Sequence, residues 1–291
     1  MTEIACSVPS AENCVNRGAP AHAGGSLVGR WALILGASSG FGAATARALA
    51  REGMNIFGVH LDPRRTLERA EAVVADIEAA GARAVFYNTN AADARRRARV
   101  VAAIAETLAT DSEPRIHMLV HTLAFGSLRP YIDEDPEVAV NEGQMEMTLS
   151  VMAHSLVYWT QDLVRADLLQ RGSRVYAMSS IGSQRVSSHY GPVSAAKAAL
   201  EAHTRQLAVE LAPAGIAVNC LMPGVADTPA LRAIPGHEEI LQQAHAYHPA
   251  RRLTQPDDVA QTLVVLADPR LTWISGAVIP VDGGESLVAA G

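Results

Sequence analysis

Seven short apolar runs set the terms for this chain: RWALILGA, MNIFGVHL, RAVFYNTN, HMLVHTLAF, SRVYAMSS, GIAVNCLMPG and AVIPVDGG. They are too short for typical helices, and they read as strands buried on both faces, where polar alternation has no place. Stretches with helical spacing lie between them. GFGAATARALAREG closes on Gly53 and TLERAEAVVADIEAAG on Gly81, the residue type that most readily ends a helix in the left-handed conformation. RRRARVVAAIAETLA precedes the fourth run, and MEMTLSVMAHSLVYWTQDLV predicts a longer helix after it. Pro192 opens another, since proline suits the first helical turn. Strand alternating with helix implies an α/β fold: a single doubly wound parallel sheet with helices on both faces. Residues 1–29 are rich in Ala, Gly, Ser and Pro without periodicity and read as a flexible extension. One domain then takes residues 30–291, with no repeat and no second domain.

Composition narrows the function classes. The 291 residues suffice for one large domain, and 49% apolar with 19% charged residues suits a globular enzyme. A formal net charge of −6 argues against a nucleic-acid surface. No apolar run approaches the roughly 20 residues of a membrane span. The opening MTEIACSVPSAENC lacks the basic and apolar blocks of a signal peptide, and Cys6, Cys14 and Cys220 form neither a disulfide framework nor a zinc spacing. The expected location is the cytoplasm, with no metal.

The turn after the first strand, LGASSGFG, supplies Gly36, Gly40 and Gly42 with Ser38, Ser39 and Phe41 between them. Glycine lets the backbone turn sharply and approach a pyrophosphate, and the helix N-terminus that follows adds free N–H donors. In this strand–turn–helix setting the pattern predicts a dinucleotide site of the Rossmann type. The adenosine end is read at the close of the second strand. His60 and Leu61 fill the two key positions, Asp62 comes after them, and Arg64 and Arg65 follow. With no acid foremost and two arginines within reach, NADPH is expected over NADH.

SSHYGPVSAAKAALE holds Tyr190 and Lys197 seven residues apart. At 3.6 residues per turn, positions four or seven before a helical lysine both lie near its face. Tyr190 would stand just ahead of the helix, beside Gly191, its phenol reaching the nicotinamide from further out. GASSGFG, YGPVSAAKAALEA, VNCLMPGVADTPAL and the terminal VDGG fall in an order that resembles the short-chain dehydrogenase/reductase family over residues 30–288. More narrowly, VHTLAFG and the Y-x6-K spacing are similar to the enoyl-acyl-carrier-protein reductase branch. The resemblance implies hydride transfer to the β-carbon of a 2-enoyl thioester, small or carrier-bound. Tyr190 would polarise the thioester oxygen, and Lys197 would hold the nicotinamide ribose with a charge that makes the tyrosine more acidic. The matching cofactor positions include Asn90, Ala91, Thr122, Leu123, Ala124, Pro223, Gly224, Val225 and Thr228. A homotetramer built on helices near Met147–Leu163 and Val193–Leu211 is also implied.

The chain departs from the enoyl branch in two places. Ser180, seventeen residues before Lys197, stands where most enoyl reductases have a second tyrosine. It joins the catalytic set, as in the wider family and in one smaller enoyl branch. Met152 occupies the position of an asparagine that anchors a proton relay in the wider family. Residues 229–250 read as a substrate lid, with Leu231, Ile234, Ile240 and Leu241 available to line an apolar channel. His245 and His248 read as loop histidines. Two alternatives stay open: a keto reductase acting on a polyketide or other bulky ketone, and a dinucleotide-binding regulator without activity.

Overall fold

The computed structural model describes residues 27–288, so most of the expected extension, residues 1–26, lies outside the described residues. Residues just before 30 already contact the domain. The Gly29 N–H donates to the Gly53 carbonyl at 2.9 Å, Asn55 Nδ2 donates to the Gly29 carbonyl at 3.1 Å, and Leu27 packs on the core.

The expected runs form seven strands: β1 (Trp31–Leu35), β2 (Asn55–His60), β3 (Ala84–Asn88), β4 (Ile116–His121), β5 (Arg174–Met178), β6 (Ala217–Pro223) and β7 (Val278–Val281). They make one parallel sheet in the order β3-β2-β1-β4-β5-β6-β7. Every residue of β1, β2, β4 and β5 is buried, which is why these runs carry no polar alternation.

The two faces separate along β1. Trp31, Leu33 and Leu35 point to a core shared with α3 (Ala94–Leu108), α5 (Ser155–Arg165) and α6 (Gly191–Leu211), where Ile104, Trp159, Leu163 and Leu200 are fully buried. Trp31 stacks on Phe57 with centroids 4.1 Å apart. Ala32 and Ile34 face the other core, built from α1 (Gly40–Arg51), α2 (Leu67–Ala79) and α9 (Pro256–Leu266) through Leu49, Ile77 and Leu263. The chain runs outward from β1 to β3, then crosses back to β4 on the other side of β1. In such a sheet the crevice between the carboxyl ends of β1 and β4 is where ligands bind.

Two elements differ from expectation. The helix expected through Met145–Val164 is α4 (Glu142–Leu149), a π-helical segment Ser150–His154 and then α5. Asn141 and Gln144 start α4 with a reciprocal capping box. Such widened turns often mark functional positions; this one contains Met152. Helix α9 was not anticipated, although Val259, Leu263 and Leu266 repeat at i, i+4 and i+7, and its N-terminus carries a capping pair of Gln255 and Asp258. It covers α1 on the outer layer.

Candidate active site

The loop after β1 is shaped to receive an anion. Gly36 has φ +93° and Gly40 φ +52°. A methyl group at Gly42 would overlap the Gly36 carbonyl oxygen, whereas one at Gly40 would meet only the Thr228 side chain at 3.7 Å, so the space there is open. Helix α1 begins at Gly40. The Ser39 side chain caps no backbone N–H, and the first turn carries no acid. The helix donors and the positive dipole end are thus left for a phosphate. Phe41 spends its ring on the core and its carbonyl on the Thr45 hydroxyl at 2.6 Å, so it joins the cradle through backbone only. These features fit the pyrophosphate of a dinucleotide.

At the adenosine end the structure corrects one expectation. Asp62 does not trail away after β2; it folds back. His60 Nδ1 and Thr66 Oγ1 lie 2.9 and 2.7 Å from its two oxygens, and the Ser38 hydroxyl also bonds it. Burial pushes the carboxyl up, but the hydrogen bonds from Ser38, Thr66 and His60 outweigh it and hold Asp62 below its ordinary range. An acid therefore does stand beside the phosphate loop. Leu61 is exposed, and Arg64 and Arg65 sit on one exposed 3-10 turn. A groove of about 590 Å³ runs from Ser38, Ser39 and Gly40 past Arg47, Arg51 and Arg69. The sequence reading missed these three arginines; the i, i+4 repeat of Arg47 and Arg51 was the available signal.

The other positions expected to meet the cofactor follow the carboxyl ends of β3, β4 and β6. Asn90 Oδ1 accepts from the Ala92 N–H, and the Ala91 carbonyl accepts from Trp159 Nε1, both at 2.9 Å. The Thr122 hydroxyl donates to the Leu35 carbonyl at 2.7 Å and ties β4 to β1; Leu123 packs partly on the core and Ala124 is exposed. Past Pro223, the Gly224 N–H donates to the Val281 carbonyl at 3.2 Å and the Val225 N–H to Glu285 Oε2 at 2.9 Å. Thr228 is buried and caps α7 (Pro229–Arg232) by accepting from the Leu231 N–H. Glu285, which fastens this loop, was invisible in the sequence because it comes from a 3-10 turn after β7, sixty residues on.

Ser180 follows β5 and accepts from the Gly182 N–H at 3.1 Å, and it and the Tyr190 ring both lie against Gly182. A side chain at Gly182 would collide with the Tyr190 ring, and one at Gly191 with the Tyr131 ring. Tyr190 is the N-cap of α6, just ahead of Pro192. Burial raises the phenol above its ordinary value, and Ser180 offsets only part of that. The wide spacing sets the lysine two turns into the helix, where it is buried and donates to the Met178 carbonyl at 2.6 Å. Burial pulls Lys197 down to about 8, against the opposing influence of Cys220 and Glu201. The structure thus brings Tyr190 beside Ser180 and gives Lys197 its own buried berth. Met152 is buried against Gly126, and His154 is paired with His203 at 2.9 Å.

The expected lid is built of α7 and α8 (His237–Tyr247). Ile234 is buried, while Leu231, Ile240 and Leu241 are partly so. His245 is exposed, and His248 is buried against Gly283. Among the described residues no cluster of three or more His, Cys, Asp or Glu could hold a metal ion, and no helix is long and apolar enough to cross a membrane. Phe125, Tyr131 and Ile132, after β4, and Val186, after β5, are exposed apolar groups that the sequence reading passed over.

Residues 36–286 match the family model described as enoyl-(acyl carrier protein) reductase. The chain belongs to the short-chain dehydrogenase/reductase family, of the enoyl reductase type. Curated relatives include the (2S)-[(R)-hydroxy(phenyl)methyl]succinyl-CoA dehydrogenase subunit BbsD of Thauera aromatica, 32% identical over 89% of this chain and 98% of that one. Another is the 1-cyclohexenylcarbonyl-CoA reductase of Streptomyces collinus, 29% identical over 88% and 87%. Among solved structures, the promiscuous reductase LugOII, which catalyses keto-reduction at C1 during lugdunomycin biosynthesis, superposes with a TM-score of 0.77 at 29% identity, covering 90% of this chain and all of that one. Membership makes the chain an oxidoreductase whose fold binds a nucleotide cofactor. In this chain Tyr190 stands at a helix cap beside Ser180, and burial raises its phenol. A neutral phenol can donate a hydrogen bond to developing negative charge. Tyr190→Phe is expected to leave dinucleotide affinity unchanged, as read by fluorescence quenching, and to lower turnover by roughly 10²–10⁴-fold. Near-normal turnover would remove Tyr190 from the site.

Proposed function

We propose that the protein is an NADPH-dependent reductase of 2-enoyl thioesters. The observation that carries this reading is Tyr190 at the cap of α6, seven residues before the buried Lys197, with Met152 buried where a proton-relay asparagine would otherwise stand. Reduced nicotinamide, when bound, would supply hydride for the β-carbon of the substrate. Charge would then develop on the thioester oxygen, three bonds from the carbon attacked, Tyr190 would donate a hydrogen bond to it, and a proton from water would complete the reduction at the α-carbon. Ser180 aims the phenol. Lys197 has two N–H groups left after Met178 for the ribose hydroxyls of the cofactor. The exposed apolar groups Phe125, Tyr131 and Ile132 suit an acyl chain. The family match and the relatives that act on coenzyme A thioesters support the same reading.

A second reading, keto-reduction, is favoured by Ser180 standing beside Tyr190, since a ketone oxygen becoming an alkoxide needs both a donor and a proton. Turnover with NADPH and crotonyl-coenzyme A, set against a panel of bulky ketones, separates the two. In the enoyl reading Ser180→Ala loses less than about tenfold in kcat, at most about 1.4 kcal/mol of barrier. A loss of several hundredfold would favour keto-reduction. No turnover with either substrate class would leave the binding-only alternative.

NADPH is assigned on the arginines of the groove and on Arg64 and Arg65, against the opposing charge of Asp62. NADPH is expected to give the higher kcat/KM, and Asp62→Asn to widen its lead over NADH by about tenfold, a change worth about 1.4 kcal/mol. Equal use of both cofactors by the parent enzyme would defeat this assignment. The proposal includes a homotetramer, for which the exposed Tyr158 and Val209 on α5 and α6 offer apolar contact surface. Light scattering at micromolar concentration should then give four times the chain mass, and a monomer mass would contradict it.

A further inference from the structure

Glu201 takes no part in the chemistry described so far, yet it lies one helical turn beyond Lys197 on α6 and is only 8% exposed. One of its oxygens, Oε1, accepts from the Ser179 hydroxyl at 2.5 Å and from the Ser183 hydroxyl at 2.7 Å. Those two serines bracket Ser180 on the loop after β5. Both hydroxyls donate to the same oxygen, so one carboxyl holds the two serines together. No arginine pairs with it among the described residues, and Lys197 is the cation that feels it. We infer that Glu201 is a positioning residue of this site, clamping the loop that carries Ser180 and supplying the counter-charge for the Lys197 ammonium.

The clamp works from both ends. Lys197 Nζ holds the Met178 carbonyl, at the end of β5, and Glu201 holds residues 179 and 183 beyond it. Two side chains of one helix thus fix the stretch on which Ser180 is aimed at Tyr190. Three groups act on the ammonium or feel it: Glu201 from α6, Cys220 from β6 and His121 from β4. Burial pushes the Cys220 thiol up to about 12, so it is neutral where Lys197 titrates. Burial and then the Lys197 charge pull His121 down to about 3, so it is neutral as well. Tyr190, raised by burial, is also uncharged there. Glu201 is left as the counter-charge that keeps a buried lysine protonated. Its removal favours the neutral amine and lowers the pH at which the ammonium is lost.

The inference rests on the assignment of Ser180, Tyr190 and Lys197 as the site, but not on which compound is reduced: a binding measurement tests the charge without substrate, and turnover of crotonyl-coenzyme A, or of whichever ketone the parent reduces instead, tests the clamp. NADPH affinity, followed by quenching of tryptophan fluorescence from pH 6 to 10, should weaken in the parent above about pH 8 as Lys197 deprotonates. In Glu201→Gln the weakening should begin about one pH unit lower, since one unit is the scale on which a nearby charge acts. An unchanged midpoint in the folded variant overturns the inference. Ser183→Ala keeps the charge and loosens the clamp: its pH midpoint should match the parent while kcat falls at least threefold at unchanged KM. An unaltered kcat there also overturns it, even if Glu201→Gln does not fold. Binding of neither dinucleotide by the parent would defeat the site assignment itself and this inference with it.

Discussion

Strand β1 has neither a free edge nor a free face. It pairs with β2 on one side and β4 on the other, and all five of its residues are buried. At its carboxyl end the Leu35 carbonyl accepts from both the N–H and the hydroxyl of Thr122. That double bond across the β1–β4 junction sets where the two chain directions part, and so where the crevice opens. Gly36 and Gly42 can then close on each other only because neither carries a side chain. The glycine turn and the crevice beside it take their positions from this central strand.

The catalytic half follows a different logic. Helix α6 supplies Tyr190 at its cap, Lys197 two turns in and Glu201 one turn further. Because the helix is rigid, burying Lys197 against the Met178 carbonyl determines where the phenol stands. The price is a lysine in an apolar setting, pulled down to about 8. Burial raises the Tyr190 phenol, with Ser180 acting against it.

Much of this was legible in the residues themselves. The seven apolar runs became seven strands because continuous burial leaves a local signature, and the glycine turn because only glycine fits such an approach. Tyr190 was readable as standing ahead of its helix because Pro192 marks the start. Other features were not legible. The expected helix through Met145–Val164 widens into a π-helical turn at Ser150–His154, which no periodicity announces. Asp62 seemed out of reach of the phosphate loop until the structure folded it back onto Ser38.

The sequence by itself determined the strand–helix alternation, the dinucleotide turn and the spacing of tyrosine and lysine, since each depends on neighbours a few residues away. Tertiary structure decided which charges meet. Glu201 reaches serines eighteen and twenty-two residues distant, Glu285 fastens the loop after β6 from sixty residues on, and Lys197 reaches the Met178 carbonyl nineteen residues back. Electrostatic influence depends on distance and burial in space, and neither is written in the order of residues along the chain.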